Sequence, residues 1–259
     1  MLLSLSSDNT KLRKSSAANQ SYRICSLHLA PADSSGNNVC PHSSASCRAA
    51  CVGIATGLVT VFPRIMESRI AKTKMFFDDR KAFLEQLNRE IENQQRIAEE
   101  NDQILAVRLN TFSDLVWESK SLHVPQDHPT VQFWDYSKLF GRASGIPSNY
   151  AICWSITERH NDREACADLI RDGWNASLVI GQRGRGFTGP GAYSQRLPQW
   201  IDFQGMRLQT VDGDVSDFRW LDPGPTTSGR GRIVALRLKS ANNLMRETAL
   251  GSGFVEIVG

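Results

Sequence analysis

Three of the chain's six cysteines stand close together in the stretch "NVCPHSSASCRAACVGIATG" at residues 38–57. Six residues separate Cys40 from Cys47, and three separate Cys47 from Cys51. If the stretch from Cys47 is helical, Cys47 and Cys51 lie on one face, one turn apart. Cys40 precedes them in a segment rich in turn-forming residues, which can fold back. We therefore expect the three thiols to converge on one site.

Thiols that cluster in a reducing compartment more often bind metal or react than form disulfides. A set of three thiolates suits an iron–sulfur cluster, either 3Fe-4S or a 4Fe-4S cluster with one iron left for a small-molecule ligand. A structural zinc ion is the alternative, and it needs a fourth ligand such as His28 or His42. Three unrelated buried thiols are the plainest alternative, but the polar neighbours of Cys40 and Cys47 argue against it. We predict an iron–sulfur cluster on Cys40, Cys47 and Cys51.

Polar side chains with catalytic or binding capacity end several apolar runs of the sequence. Asn110 ends the run "ILAVRLN", and Asp114 follows shortly after it. Asp135 and Lys138 end "TVQFWDYSK", where they form either an acid/base pair or an ordinary ion pair. Ser155 lies near the end of "YAICWSITE". We predict catalytic roles for Asp114, Asp135 and Lys138. For Asn110 and Ser155 we predict cofactor-binding roles.

The elements that position these residues are six apolar runs, each of the length of a strand. They lie at residues 22–30, 104–110, 130–138, 150–158, 176–183 and 232–240. Continuous apolar strands that alternate with helices indicate a parallel sheet covered on both faces. Polar residues at the carboxyl ends of such strands are typical of the functional face of an α/β barrel. We predict an α/β fold, a six-stranded parallel partial (β/α) barrel of the TIM-barrel type, with an open doubly wound sheet as the alternative.

A long helical region is predicted for residues 64–100, with Asp78 as the cap of its second part. An apolar stripe at steps of four residues supports it: Phe83, Leu87 and Ile91. A shorter helix is predicted for residues 162–171. The remaining cysteines lie in apolar runs or in this shorter helix, which predicts core positions for them: Cys25, Cys153 and Cys166.

We expect one domain at residues 21–259, preceded by a polar, mobile arm at residues 1–20. The stretch at residues 182–232 is rich in Gly, Pro and Arg. It predicts long loops that would form a lid over the mouth of the barrel, because loops of this length in a compact domain are usually functional or disordered.

The overall composition excludes several classes of protein. With 259 residues, 41% hydrophobic residues and 22% charged residues, the chain reads as an ordinary globular protein. The net charge of +3 is too small to indicate nucleic-acid binding by itself. The longest apolar run has about 12 residues, whereas a membrane helix needs about 20. We expect a soluble, cytoplasmic protein without a signal peptide or a membrane partner.

Basic side chains in one helical stretch and in the loops offer a different function. They are Arg69, Lys72, Lys74, Arg183, Arg185 and Arg230. Such a set is usually a solvated basic surface, but it also allows contacts to the phosphates of a nucleic acid. The sequence also groups four aspartates, Asp212, Asp214, Asp217 and Asp222. They lack a complete calcium pattern, and we predict turn and capping roles for them.

The sequence resembles the bacteriophage gene product eighty-eight domain family. The matching pieces are "LHLAPADSSGNNVCPHSSASCRAAC", "ESRIAKTKMFFDDRKAFLEQLNREI", "VRLNTFSDLVWE", "QFWDYSK" and "DGDVSDFRWLDP". The resemblance implies a phage or mobile-element origin, and therefore the cytoplasm of a host cell. It also implies that the triad of Cys40, Cys47 and Cys51 belongs to the family pattern, but it implies no activity.

A strand, a three-cysteine loop and a helix in a partial barrel also resemble the layout of radical S-adenosylmethionine enzymes. This second resemblance implies S-adenosylmethionine as a further cofactor. The cysteine spacing is wider than in those enzymes, and no "GGEP"-like stretch follows the second strand. We therefore expect a phage-type iron–sulfur protein, with a redox or radical reaction at the barrel mouth. The alternative is a nucleic-acid-associated phage accessory protein with a structural zinc ion.

Overall fold

The computed structural model describes residues 1–5, 21–55, 58–181, 197–239 and 243–257, and all structural statements concern these residues. Ten strands form one open sheet in this part of the chain. They are β1 (Leu3–Leu5), β2 (Tyr22–Leu27), β3 (Ile104–Arg108), β4 (Gln132–Ser137), β5 (Tyr150–Ser155), β6 (Ala176–Gly181), β7 (Trp200–Phe203), β8 (Met206–Asp212), β9 (Ile233–Arg237) and β10 (Val255–Ile257).

The strand order across the sheet is β1-β2-β3-β4-β5-β6-β9-β8-β7. Neighbours from β2 to β8 in this order are parallel, whereas β1 on β2 and β7 on β8 are antiparallel. β10 pairs parallel with the last residues of β6, from Val179 to Gly181. β5 pairs only with Ala176 and Ser177, and β9 occupies the opposite edge of β6. β5 and β10 therefore pair with successive parts of the same edge of β6.

The prediction of a six-stranded parallel partial barrel is wrong, because the sheet is open, has ten strands in the described ranges and contains two antiparallel pairs. All six predicted runs do form strands, namely β2, β3, β4, β5, β6 and β9. The other four strands are short or alternate in burial, so a search for continuous apolar runs misses them. The doubly wound alternative agrees with the structure in having an open sheet. It differs in strand order, since β2 to β6 follow in chain order without the reversal that a doubly wound sheet has.

Eight α-helices are described, besides two short 3-10 helices at Phe140–Gly145 and Arg219–Leu221. Three of the α-helices are long enough to contribute much to the core. The eight α-helices are α1 (Ala45–Ala49), α2 (Val52–Ala55), α3 (Leu58–Val61), α4 (Pro63–Asp78), α5 (Arg80–Glu99), α6 (Val124–Asp127), α7 (His160–Arg171) and α8 (Asn243–Gly251). No helix within the described ranges is both long and apolar enough to cross a membrane.

The helical region predicted for residues 64–100 consists of α4 and α5, which meet at Asp79. The Asp79 side chain caps α5 by accepting a hydrogen bond of 3.0 Å from the backbone N–H of Ala82. The predicted cap, Asp78, is wrong by one residue, because Asp78 is still the last residue of α4. The predicted apolar stripe of α5 is confirmed, since its side chains are fully buried: Phe83, Leu87 and Ile91.

The sheet separates two apolar layers, because successive side chains of a strand point to opposite faces. Val107 of β3 packs in the main core with residues of α4, α5 and α7. Its neighbour Ala106 packs in a second cluster with Trp134 and Phe218. Helices therefore cover one face of the sheet, and the segment at residues 213–222 covers part of the other face.

Two predicted segments lie largely outside the described residues. Of the predicted arm at residues 1–20, residues 3–5 form β1 and pair with β2, and residues 6–20 are not described. Of the predicted lid, residues 182–196 are not described, and this range includes Arg183 and Arg185. The rest of the predicted lid region contains β7 and β8.

Gly231 lies where the chain passes close to a neighbouring backbone. Its N–H donates to the carbonyl of Ile170 over 2.8 Å, and a Cβ atom at this position would overlap the Trp174 carbonyl. We expect Gly231→Ala to lower the free energy of unfolding by about 1–3 kcal/mol, because a backbone must move to accept the methyl group. Urea unfolding would measure the loss.

Gly224→Ala is the matched control, since a Cβ atom there meets nothing within 4 Å. This variant should unfold within about 0.5 kcal/mol of the wild type. Equal midpoints for the two variants would contradict the close approach at Gly231.

Candidate functional site

A cavity of about 330 Å³ lies at the carboxyl ends of the parallel strands. Residues that end or follow β3, β4, β5 and β9 line it, together with the cysteine segment at residues 40–52. Polar side chains from distant parts of the chain meet here, as expected for the carboxyl edge of a parallel sheet. The three cysteines line the cavity together with four of the five predicted strand-end residues: Asn110, Asp114, Lys138 and Ser155.

The cysteine segment is held by residues that follow β5. Ser44 caps α1 by accepting a hydrogen bond of 3.1 Å from the N–H of Cys47. The Ser44 hydroxyl donates to Glu158 over 2.7 Å, and Arg159 donates to the carbonyl of His42 over 2.7 Å. The end of β5 therefore fixes the position of the cysteine segment.

Cys40, Cys47 and Cys51 are free, half-buried thiols that line the same cavity. The Cys40 thiol donates to the carbonyl of Phe112 over 3.3 Å. Burial raises the pKa of Cys40 to about 11, and the nearby Cys51 contributes to this shift. Burial also raises the pKa of Cys51, with a contribution from Cys47. A metal that binds here must therefore displace protons from these thiols.

Lys138 places a positive charge among the three thiols. Its side chain lines the cavity together with Cys40, Cys47 and Cys51. Burial alone would lower the pKa of Lys138, but Cys47, Asp114 and Cys40 outweigh it, and the pKa is raised. The lysine is therefore a cation at neutral pH, and it stabilises negative charge on the sulfur atoms.

Asp114, a predicted catalytic residue, fixes the end of β4. One of its carboxylate oxygens accepts from the Ser137 hydroxyl over 2.7 Å, and the other accepts from the Lys138 N–H over 2.9 Å. Asp114 also lines the cavity. Both oxygens serve to hold the strand end, so the carboxylate acts on the site through Lys138.

Asp135 and Lys138 do not form the predicted acid/base pair. Asp135 is fully buried and is not among the described residues that line the cavity. Its carboxylate accepts from the Asn110 N–H over 2.7 Å and from the Tyr150 hydroxyl over 2.6 Å. Burial raises its pKa to about 7, although Arg108 opposes the shift. The geometry points to a structural carboxyl group.

The two predicted cofactor-binding residues both line the cavity. The Asn110 amide oxygen accepts hydrogen bonds from Ser113, Leu115 and Trp117, so it organises the loop that follows β3. Ser155 accepts from the Ser177 hydroxyl over 3.3 Å, which leaves its own hydroxyl proton to donate. Ser155 is therefore the better placed of the two for a ligand.

The sequence-based prediction did not include Arg108 and Arg237, two cations that line the cavity. Arg108 donates to Asp217 over 2.8 Å, and its guanidinium lies 5.0 Å from the ring centroid of Tyr136. Arg237 binds both carboxylate oxygens of Asp212 over 2.9 and 3.0 Å. The available signal was an arginine inside an otherwise apolar strand, as in "ILAVRLN" and "RIVALRLKS".

The aspartate group predicted for turns and caps also forms ion pairs. Asp214 pairs with Lys239 over 2.9 Å, and Asp222 lies 3.1 Å from Arg219. Asp212 does accept a hydrogen bond from the Asp214 N–H, as in a turn. The group therefore forms ion pairs with Arg237 and Lys239, which line the cavity, and with the buried Arg219. The turn and capping prediction did not include these ion pairs.

The helical basic stretch is largely used within the fold. Arg69 is buried, donates to the carbonyl of Gly53 over 2.9 Å and stacks on Phe112. Lys72 donates to the carbonyl of Leu2 over 2.8 Å. Lys74 alone of these three is exposed. The described stretch therefore offers little free charge for the phosphates of a nucleic acid.

The candidate fourth ligands do not reach the cavity. His28 packs on Phe112, and burial followed by nearby positive charges lowers its pKa to about 3. Neither His28 nor His42 lines the cavity. The other three cysteines are buried core residues, as predicted: Cys25, Cys153 and Cys166. Across the part of the chain that the structure describes, no group of three or more His, Cys, Asp or Glu is arranged to hold one metal ion.

Fold and site together define an α/β protein with a cysteine-lined cavity at the carboxyl edge of its sheet. The chain belongs to the Gene product 88 family, whose model matches residues 2–248. The comparison confirms the resemblance to that phage family. No similar protein was found among curated proteins or solved structures. Nothing in the comparisons supports the likeness to radical S-adenosylmethionine enzymes.

Proposed function

We propose that this is a phage-type iron–sulfur protein whose cluster is held by Cys40, Cys47 and Cys51. The observation that carries the proposal is the lining of one cavity by three thiols and an ammonium group, without a histidine among the lining residues. A donor set made of sulfur alone is the set that iron–sulfur clusters use. A cytoplasmic location belongs to the proposal, because a reducing compartment keeps such thiols free.

The arrangement of the thiols favours a cluster over zinc. A single zinc ion draws its ligands to one atom, and a structural site needs four of them. The described residues form no such group. In a cluster each thiolate binds a different iron, so the three thiols stand further apart and need no fourth protein ligand.

The remaining lining residues would hold a small molecule beside the cluster. Two hydroxyl groups of the lining, those of Thr111 and Tyr136, are buried and have no hydrogen-bond partner among the described residues. Buried polar atoms in native proteins are rarely left without a partner, so a polar ligand is expected here. Apolar walls from Val179, Leu236 and Phe254 would exclude water from that ligand.

A bound cluster supplies one-electron chemistry, and an iron without a protein ligand can bind a small molecule. The chain's own residues would then bind and orient the molecule at the strand ends. Ser155 and Tyr136 can hydrogen-bond it. Lys138 keeps positive charge beside the sulfur ligands. A redox or radical reaction on a small polar substrate is the activity that we propose.

Anaerobic purification followed by iron and sulfide analysis tests the proposal. We expect a brown protein with about three or four irons per chain and matching sulfide. Cys40→Ala, Cys47→Ala and Cys51→Ala should each lose most of the iron. Cys166→Ala is the matched control, since Cys166 is buried in α7 away from the cavity, and it should keep the iron. A colourless protein that carries zinc without sulfide would overturn the proposal.

A further inference from the structure

One of the basic side chains that line the cavity has no carboxylate partner among the described residues. Three others form ion pairs with aspartates at 2.8 to 2.9 Å: Arg108 with Asp217, Arg237 with Asp212 and Lys239 with Asp214. The remaining one is Lys138, and no ion pair in the described part of the chain includes it. Asp114 uses its two oxygens for the Ser137 hydroxyl and the Lys138 backbone N–H. A half-buried cation without a counter-charge favours an anionic ligand.

The register of the sheet places a serine beside Lys138. β4 and β5 pair Ser137 with Trp154, so the residues that follow, Lys138 and Ser155, are neighbours at the carboxyl edge. Ser155 accepts from the Ser177 hydroxyl over 3.3 Å, which leaves its own proton to donate. An ammonium group and a hydroxyl donor therefore lie next to each other, and both can donate to one carboxylate.

The lining becomes apolar farther across the sheet. Val179 of β6 pairs in register with Leu236 of β9, and Phe254 lines the cavity with them. β6 is two strands from β4, a separation of about 10 Å. A ligand that reaches from the charge to this wall needs a body of several carbon atoms. A cavity of about 330 Å³ is near the lower end for small-molecule sites, which limits that body to a short chain or a single ring.

We propose that the cavity binds a small monocarboxylate with an apolar body, and that its carboxylate accepts from Lys138 and Ser155. The body lies against Val179, Leu236 and Phe254. One unpaired cation matches one negative charge, so a carboxylate fits this site better than a phosphate dianion does. As the substrate class of the proposed reaction, this inference rests on the proposed function. The binding itself rests on the cavity alone and needs no iron.

Calorimetric titration of the anaerobically purified protein with hexanoate tests the inference. From acetate through butanoate to hexanoate, the association constant should rise about fourfold per methylene, because each one is buried against the apolar wall. Hexanol lacks the negative charge, and hexylammonium reverses it. Both should bind at least about tenfold more weakly than hexanoate, since neither can replace a charge-assisted hydrogen bond to the ammonium group.

Variants of the polar side test where the carboxylate lies. Lys138→Met should weaken hexanoate binding about tenfold or more, and Ser155→Ala should weaken it about threefold to tenfold. Lys138→Arg keeps the charge and should stay within about threefold of the wild type. Lys74→Met is the matched control, because Lys74 is exposed on α4, and it should bind hexanoate like the wild type. Urea unfolding verifies that each variant is folded.

The outcomes separate this inference from the proposed function. A wild-type protein that does not bind hexanoate would overturn the inference. Hexanol or hexylammonium binding as tightly as hexanoate would overturn the anionic head, and acetate binding as tightly would overturn the apolar body. Tighter binding of inorganic phosphate would overturn the choice of a carboxylate. A protein that binds hexanoate as expected but contains no iron and sulfide would overturn the proposed function and support the ligand class.

Discussion

Replacing Arg142 by methionine should lower the free energy of unfolding by about 3–5 kcal/mol, because a carboxylate is left buried without its partner. Arg142 and Glu118 have side chains that are only 4% and 5% exposed. Two hydrogen bonds of 2.6 and 2.5 Å join the guanidinium to the two carboxylate oxygens. The substitution keeps the length of the side chain and removes its charge.

Urea unfolding at neutral pH measures this loss, and a double variant separates its causes. In Arg142→Met combined with Glu118→Leu both charges of this pair are removed, so much of the stability should return. The exposed pair of Arg171 and Asp168 is the control, and Arg171→Met should cost less than about 1 kcal/mol. A loss in Arg142→Met as small as in the control would show that the buried pair is not desolvated.

Replacing Asp135 by asparagine should remove a large part of the pH dependence of stability. Burial raises the pKa of Asp135 to about 7 in the folded state, from an ordinary value of 3.8. Between these two values the folded protein binds more protons than the unfolded chain does. The free energy of unfolding therefore falls as pH rises through this window, by about 4 kcal/mol in total for this one group.

Urea unfolding of the wild type and of Asp135→Asn between pH 4.5 and pH 7.5 checks the sign. An amide cannot ionise, so the variant should become more stable relative to the wild type as the pH rises. Its oxygen can still accept from the Asn110 N–H. Asp168→Asn is the control, since this carboxylate is 75% exposed. Parallel curves for the wild type and Asp135→Asn would show that Asp135 ionises normally.

The sequence is informative about the buried strands and much less so about the edges of the sheet. Strands buried on both faces are continuous apolar runs, so all six such runs are correctly located. β7 alternates instead, with Trp200 and Asp202 exposed and Ile201 and Phe203 buried. Such a strand can be recognised only from its pairing with β8, and this pairing is not evident before the fold is known.

The site is predictable where the residues that form it are close in sequence or end recognised strands. The three cysteines and Lys138 meet in the cavity because parallel strands end at one edge. Asp135 falls outside it because adjacent strand residues point to opposite faces, and its neighbour Tyr136 takes the cavity side. Arg108 and Asp217 are 109 residues apart, so no local pattern could pair them. The cluster itself stays a prediction.

The pairing of both β5 and β10 with one edge of β6 also affects the order in which the cavity is completed during translation. Phe254 precedes β10 and forms part of the cavity wall, whereas Cys40, Cys47 and Cys51 are translated far earlier. A ribosome delivers residues in order, so that wall is added long after the thiols have left the exit tunnel. Until β10 docks on β6, the thiols face an incomplete chamber. The nascent chain therefore passes through a stage in which the three thiols have been made and one wall of their cavity has not.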